Sequence, residues 1–131
     1  MKSAFRDVLL FHKKFRPHLI GKTPKIPDQD LCALRMRLVR EEYTELSSAY
    51  LDNKLEDLAD SIVDLIYVLI GMAISYGIDL SPLWEEVQDA NMRKQIENGR
   101  PDGKVSKPEG WIPPDIKGIL DRQQTIEEIY F

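Results

Sequence analysis

The stretch EEYTELSSAYLDNKLEDLADSIVDLIYVLIGMAISYG, residues 41–77, decides the fold. From Ile62 to Ile74 it is apolar except for Asp64. That run falls short of the roughly 20 residues that cross a bilayer, and it carries an acid, so it reads as a helix buried in protein. Asp52-Asn53 is a turn signal, and Gly77 tolerates the left-handed conformation that ends a helix. The segment is therefore expected to be a helical hairpin. One helix starts after Asp28, a side chain that caps well, and reaches about Tyr50; the next runs from about Lys54 to Tyr76. The second helix is apolar nearly all round after Ile62, more than one neighbouring helix covers. Burial against a second copy of the chain, as a homodimer or homotetramer, is the expectation.

Working outward, the pattern stays helical. Phe5, Val8, Leu9, His12 and Phe15 recur at helical spacing behind Ser3, read as an N-cap. Pro17, Gly21, Pro24 and Pro27 mark an irregular connection. Ser81, with Pro82 after it, reads as the cap of a fourth helix that fades near Asn98-Gly99. Residues 99–114 turn to Gly, Pro and Lys, with a tight-turn signal at Asp102-Gly103. Asp115 can open a short helix, and Thr125 with Glu128 has capping-box spacing. No segment reads as a core strand. The expectation is an all-α antiparallel bundle of four to five helices forming one domain over residues 1–131.

Composition narrows the function. The chain has 131 residues, 18 Lys+Arg against 22 Asp+Glu and a net charge of −4, which argues against nucleic acid as the partner. Cys32 is the only cysteine, so there is no intrachain disulfide and no multi-cysteine zinc site; a reducing cytoplasm is the expected compartment. Arg6, Lys13 and Lys14 break the apolar stretch near Met1, so it does not read as an export signal, and no membrane role is expected.

The acids of the hairpin carry the chemistry. Glu41, Glu42 and Glu45 share a face of one helix; Asp57, Asp60 and Asp64 share a face of the next. With the turn centred on Asp52-Asn53, Glu45 lies level with Asp60, and Glu41 and Glu42 level with Asp64. Like charges converging beside an apolar face repel and lose hydration. A hard divalent cation between them resolves the conflict, and oxygen ligands without His or Cys favour magnesium or manganese over zinc. Such an ion suits hydrolysis of a phosphate ester or anhydride. Glu41, Glu42 and Asp57 taken alone read equally as solvated surface, whereas Asp64 interrupts the most apolar stretch of the chain. Arg35, one to two turns before Glu41, reads as a surface salt-bridge residue, with the cleft of the acids as the alternative place for its side chain. His12 and His18 have no ligand-like partners in the sequence.

The run Glu-Glu-Tyr-Thr-Glu-Leu at 41–46, followed by Leu-Ala-Asp-Ser-Ile-Val-Asp-Leu-Ile-Tyr-Val at 58–68, resembles the MazG-like all-α nucleoside triphosphate pyrophosphohydrolases, in their phosphoribosyl-ATP pyrophosphohydrolase-like branch. Gly77-Ile78-Asp79, Asn91-Met92-Arg93-Lys94 and Gly110-Trp111-Ile112-Pro113-Pro114-Asp115 add to the resemblance, which spans about residues 30–116. It implies hydrolysis of a nucleoside triphosphate to the monophosphate and pyrophosphate, with magnesium (or manganese) on Glu42, Glu45, Asp60 and Asp64. Glu41, Glu42 or Glu45 would orient the attacking water. The family's pattern places a Glu where this chain has Ser61, and Asp60 is the expected substitute. Asn91, Lys94, Lys104 and Lys107 would contact phosphate, and Trp111 would stack on the base. Phosphoribosyl-ATP hydrolysis and a non-catalytic nucleotide-sensing module are the competing readings.

Overall fold

The computed structural model describes residues 1–97 and 102–131. They form six α-helices: α1 Lys2–Phe15, α2 Gln29–Asp52, α3 Leu55–Ser75, α4 Leu80–Met92, α5 Ile116–Arg122 and α6 Ile126–Tyr130. One 3-10 turn, Pro17–Leu19, follows α1. The all-α expectation holds.

The hairpin of α2 and α3 is the largest packing unit. Asp28 begins it by accepting a hydrogen bond from the Leu31 amide, 3.0 Å. Asn53 turns it with φ 53°, the left-handed conformation that Asn tolerates better than most residues. At its other end Gly77, φ 69°, closes α3, and a Cβ there would stand 2.2 Å from the Thr23 carbonyl oxygen. Only glycine fits both demands.

The core gathers at that Gly77 end. Phe5, Val8 and Leu9 of α1 pack against Ile70, Ala73 and Ile74 of α3 and Ile126 of α6. The last helix carries the expected capping box, with Thr125 and Glu128 exchanging hydrogen bonds. Tyr130 donates to Asp79 Oδ1 at 2.7 Å and stacks on Phe5. The chain's end is thereby tied to the start of α4.

Some expectations need correction. Ser3 lies inside α1, which starts at Lys2 with Met1 in the cap position. Asp79, not Ser81, caps α4: its carboxylate accepts from the Ser81 amide at 3.0 Å. An acid outranks a hydroxyl here because it reaches the free amides at the positive end of the helix. The 99–114 segment is less irregular than its composition suggests, since Gln95–Ile96 (β1) pairs antiparallel with Val105–Ser106 (β2). Gly103, φ 63°, and the Asp102 side chain, which accepts from the Lys104 amide, shape the return. The fourth helix, expected to fade near Asn98-Gly99, ends earlier, at Met92 with Arg93 in the cap position, and the chain turns into the strand Gln95–Ile96.

The apolar helix α3 is only partly covered by the described residues of its own chain. By length and composition it could cross a membrane, and a third of its most apolar stretch is buried. Ile62, Val63, Ile66 and Leu69 remain substantially exposed. Phe15, expected on the inner face of α1, is exposed as well.

Candidate active site

The acids sit on the half of the hairpin that the core leaves alone. Each of Glu42, Glu45 and Asp64 offers a carboxylate oxygen, and the three oxygens lie within 4.8 Å of one another. Glu42 and Asp64 are half-buried, and Glu45 is exposed. The helical spacing explains the convergence: a three-residue step brings Glu42 and Glu45 to one face of α2, and α3 delivers Asp64 opposite them.

Glu42 is the centre of this arrangement. Its Oε2 is buried and has no hydrogen-bond partner. Burial, then the charges of Glu45 and Asp64, push its carboxyl above the usual carboxylate range, with Glu41 adding to the effect. A buried acceptor without a donor is costly, and adding like charges raises that cost. The donor set is oxygen only and open on the Glu45 side, which fits a hard divalent cation. The cluster can therefore hold a metal ion.

The other acids stand apart from those three. Glu41 is exposed beside Glu42. Asp60 is exposed and is not part of the cluster; it lines a neighbouring recess with Glu45, Asp57 and Ser61. A four-residue step turns an α-helix by about 40° beyond a full turn, so Asp60 and Asp64 share a side without sharing a point. Ser61 is buried, 7% exposed.

The basic and aromatic residues form a second group at the end of α4. The Trp111 indole N–H donates to the Ala90 carbonyl at 2.8 Å, which anchors the tail on α4. The ammonium groups of Lys94 and Lys107 lie 5.5 Å and 4.9 Å from its ring centre. Asn91 and Lys104 are exposed. Among the described residues, no hydrogen bond or ion pair joins these five side chains to the acid cluster.

Sequence reasoning missed one buried polar group. Arg35 is 4% exposed rather than on the surface, and its Nε donates to Ser75 Oγ at 2.8 Å. It also donates to His12 Nε2, while His12 Nδ1 donates to the Val8 carbonyl at 2.9 Å. Gly71 makes room for the pair, since a Cβ there would stand 3.2 Å from both the guanidinium and the imidazole; no residue near Arg35 in sequence signals its burial.

Comparison with known proteins agrees with the geometry. Residues 10–91 match the family model described as Phosphoribosyl-ATP pyrophosphohydrolase. The chain belongs to this family. The match runs from the second half of α1 through most of α4 and includes every acid of the cluster. The family also falls within the MazG-like all-α superfamily that the motifs indicated. A curated relative, an uncharacterized protein of Acanthamoeba polyphaga mimivirus, is 40% identical over 47 residues. That stretch is 36% of this chain and 19% of the viral protein, so the chain spans a small part of that relative's length.

Proposed function

We propose that this family member hydrolyses a nucleoside triphosphate to the monophosphate and pyrophosphate, using magnesium held by Glu42, Glu45 and Asp64. The observation that carries the proposal is the buried, unpartnered Glu42 Oε2 facing two further carboxylates. When bound, the ion would supply charge neutralisation of the phosphates and an acidified water. Manganese would serve the same oxygen ligands. Asp60, in the adjoining recess with Glu45, is the ligand we assign to the edge of the site.

The chain's own groups do the rest. Glu41, or whichever of Glu42 and Glu45 is left free, accepts the proton of the attacking water. Attack at the α-phosphorus breaks its bond to the bridging oxygen, and pyrophosphate leaves. Asn91, with an amide donor, and Lys94, Lys104 and Lys107, with ammonium donors, are assigned to the phosphates, whose negative charge calls for them. Trp111 holds Lys94 and Lys107 in place, since its N–H is already bonded to Ala90 and both cations lie by its ring.

The exposed stripe of Ile62, Val63, Ile66 and Leu69 on α3 continues into Trp84 and Val87 of α4. We assign this face to a second copy of the chain, because a two-fold axis pairs one apolar patch with itself. The cytoplasm is the compartment we assign, where nucleotides and magnesium are available together.

The test is pyrophosphate release from a panel of nucleoside triphosphates and phosphoribosyl-ATP, with and without magnesium. Metal-dependent release that is lost in Glu45→Gln and Asp64→Asn is expected. Full magnesium-dependent activity in either variant would overturn the assignment. Turnover of phosphoribosyl-ATP alone would narrow the substrate to that nucleotide. Nucleotide binding without any turnover would leave a sensing module.

A further inference from the structure

Between α1, α2 and α3 lies a cavity of about 280 Å3 containing a positive charge that the described residues do not balance. Arg35 contributes the charge. Its described hydrogen-bond partners are Ser75 Oγ and His12 Nε2, and no described carboxylate reaches it. His12 is fixed as the tautomer with its proton on Nδ1, because that nitrogen donates to Val8. Burial, with Arg35 beside it, holds its imidazole below the usual range, so it is neutral and its lone pair is taken. Arg16 adds a second cation to the lining. The remaining walls are largely apolar, with Phe11, Leu34, Leu38 and Tyr67 among them.

Such a cavity accepts a flat ring and offers it hydrogen-bond donors. A buried guanidinium without a counter-charge is costly, and a ligand oxygen accepting from its remaining N–H groups offsets that cost. The location adds a constraint. Leu38 precedes Glu42 by four residues, and Val68, also in the wall, follows Asp64 by four. Each step is about 6 Å along a helix axis, so the cavity adjoins the acid cluster. A free anion would meet the field of those carboxylates; a neutral ring joined to a metal-bound triphosphate would not.

We propose that this cavity receives the nucleotide's base, and that Arg35 selects bases with an oxygen at pyrimidine C4 or purine C6 (uracil, thymine, guanine, hypoxanthine) over cytosine and adenine, which carry an amine at that position. The choice of base as occupant rests on the hydrolase reading of the acid cluster. Arginine pairs with the oxo edge of a base because both of its amino groups donate, whereas an exocyclic amine would set donor against donor.

The experiment compares UTP with CTP and ITP with ATP in magnesium, by pyrophosphate release and by calorimetric binding of the α,β-imido analogues. The oxo member of each pair is expected to lead by about tenfold in kcat/KM and in Kd, the scale of one good base-edge contact. Arg35→Gln is expected to bring both ratios close to one. The wild-type pairs decide the matter even if that variant does not fold. Equal affinity within pairs, preference for the amino member, or no binding by any of the four analogues would overturn the proposal. Orthophosphate binding that displaces imido-UTP without metal would also overturn it, as it would mark a free-anion site. If the imido pairs discriminate and nothing is hydrolysed, the base site stands and the hydrolase reading falls. Hydrolysis without discrimination gives the reverse result.

Discussion

Glu42 on α2 and Asp64 on α3 bring carboxylate oxygens within 4.8 Å of each other across the hairpin, with Glu45 completing the triangle. Among the described residues no salt bridge joins a cation to these acids, and Glu42 keeps one oxygen buried without a hydrogen-bond partner. The arrangement opposes folding until something positive binds.

Magnesium is expected to stabilise the protein. An ion that binds only the folded state adds about 2.7 kcal/mol at a concentration one hundred times its Kd. Differential scanning fluorimetry should show the melting temperature rising with magnesium in the wild type. Asp64→Asn and Glu45→Gln should lose that rise. Glu42→Gln should also lose it while raising the metal-free stability, because it removes one of three repelling charges.

The metal-free protein should become less stable as pH rises from acid. The Glu42 carboxyl is raised above its ordinary value of 4.5, so between that value and its folded pKa the native state holds more protons than the unfolded one. The contribution is present below 4.5 and is lost as pH climbs through the folded value. Denaturant titrations from pH 4 to 7 should show this decline in the wild type, and Glu42→Gln should flatten it.

His12 should act in the opposite sense. Its folded pKa lies below the ordinary 6.5, chiefly through burial, so the unfolded chain binds the proton more readily. Its contribution is full above pH 6.5 and is lost as pH falls toward the folded value. His12→Gln keeps an acceptor for Arg35 and should remove this component. Urea midpoints at pH 5 and pH 7.5, in wild type and variant, separate it from the Glu42 effect.

Tyr130→Phe should cost about 1–2 kcal/mol at neutral pH, because the phenol donates to Asp79 and shares a 3.1 Å contact with Ser81 Oγ. Burial raises its pKa to about 12. The native state therefore keeps a proton that the unfolded chain gives up near 10, and the added stability fades as pH rises through 12. Alkaline unfolding of wild type and variant, followed by circular dichroism, should converge there.

Gly77→Ala should be among the most damaging single changes, at about 3 kcal/mol or more. It combines a φ of 69° with a Cβ 2.2 Å from the Thr23 carbonyl oxygen. Chemical denaturation gives the value directly.

The chain's local rules made much of this legible. Asp28, Asn53, Gly77 and the Thr125–Glu128 box each bound an element through short-range hydrogen bonds or backbone conformation, and those signals need only neighbours in sequence. The cap of α4 was misplaced because Ser81 and Asp79 both suit the role, and only the geometry of the turn chooses between them. Helical spacing likewise put Glu42 with Glu45 and aimed Asp64 toward them.

The tertiary structure decided what spacing leaves open. Level along a hairpin does not fix rotation about each helix, so Asp60 lies in the recess beside the three clustered acids, at the edge of the site, instead of among them. Arg35 read as a surface charge because nothing near it in sequence marks it as buried. Its enclosure comes from His12, Gly71 and Ser75, which belong to two other helices. Sequence determined the elements, since a helix is held by bonds reaching four residues. Packing determined which polar groups are left buried without partners, since burial is a property of surfaces that meet only after the chain has folded.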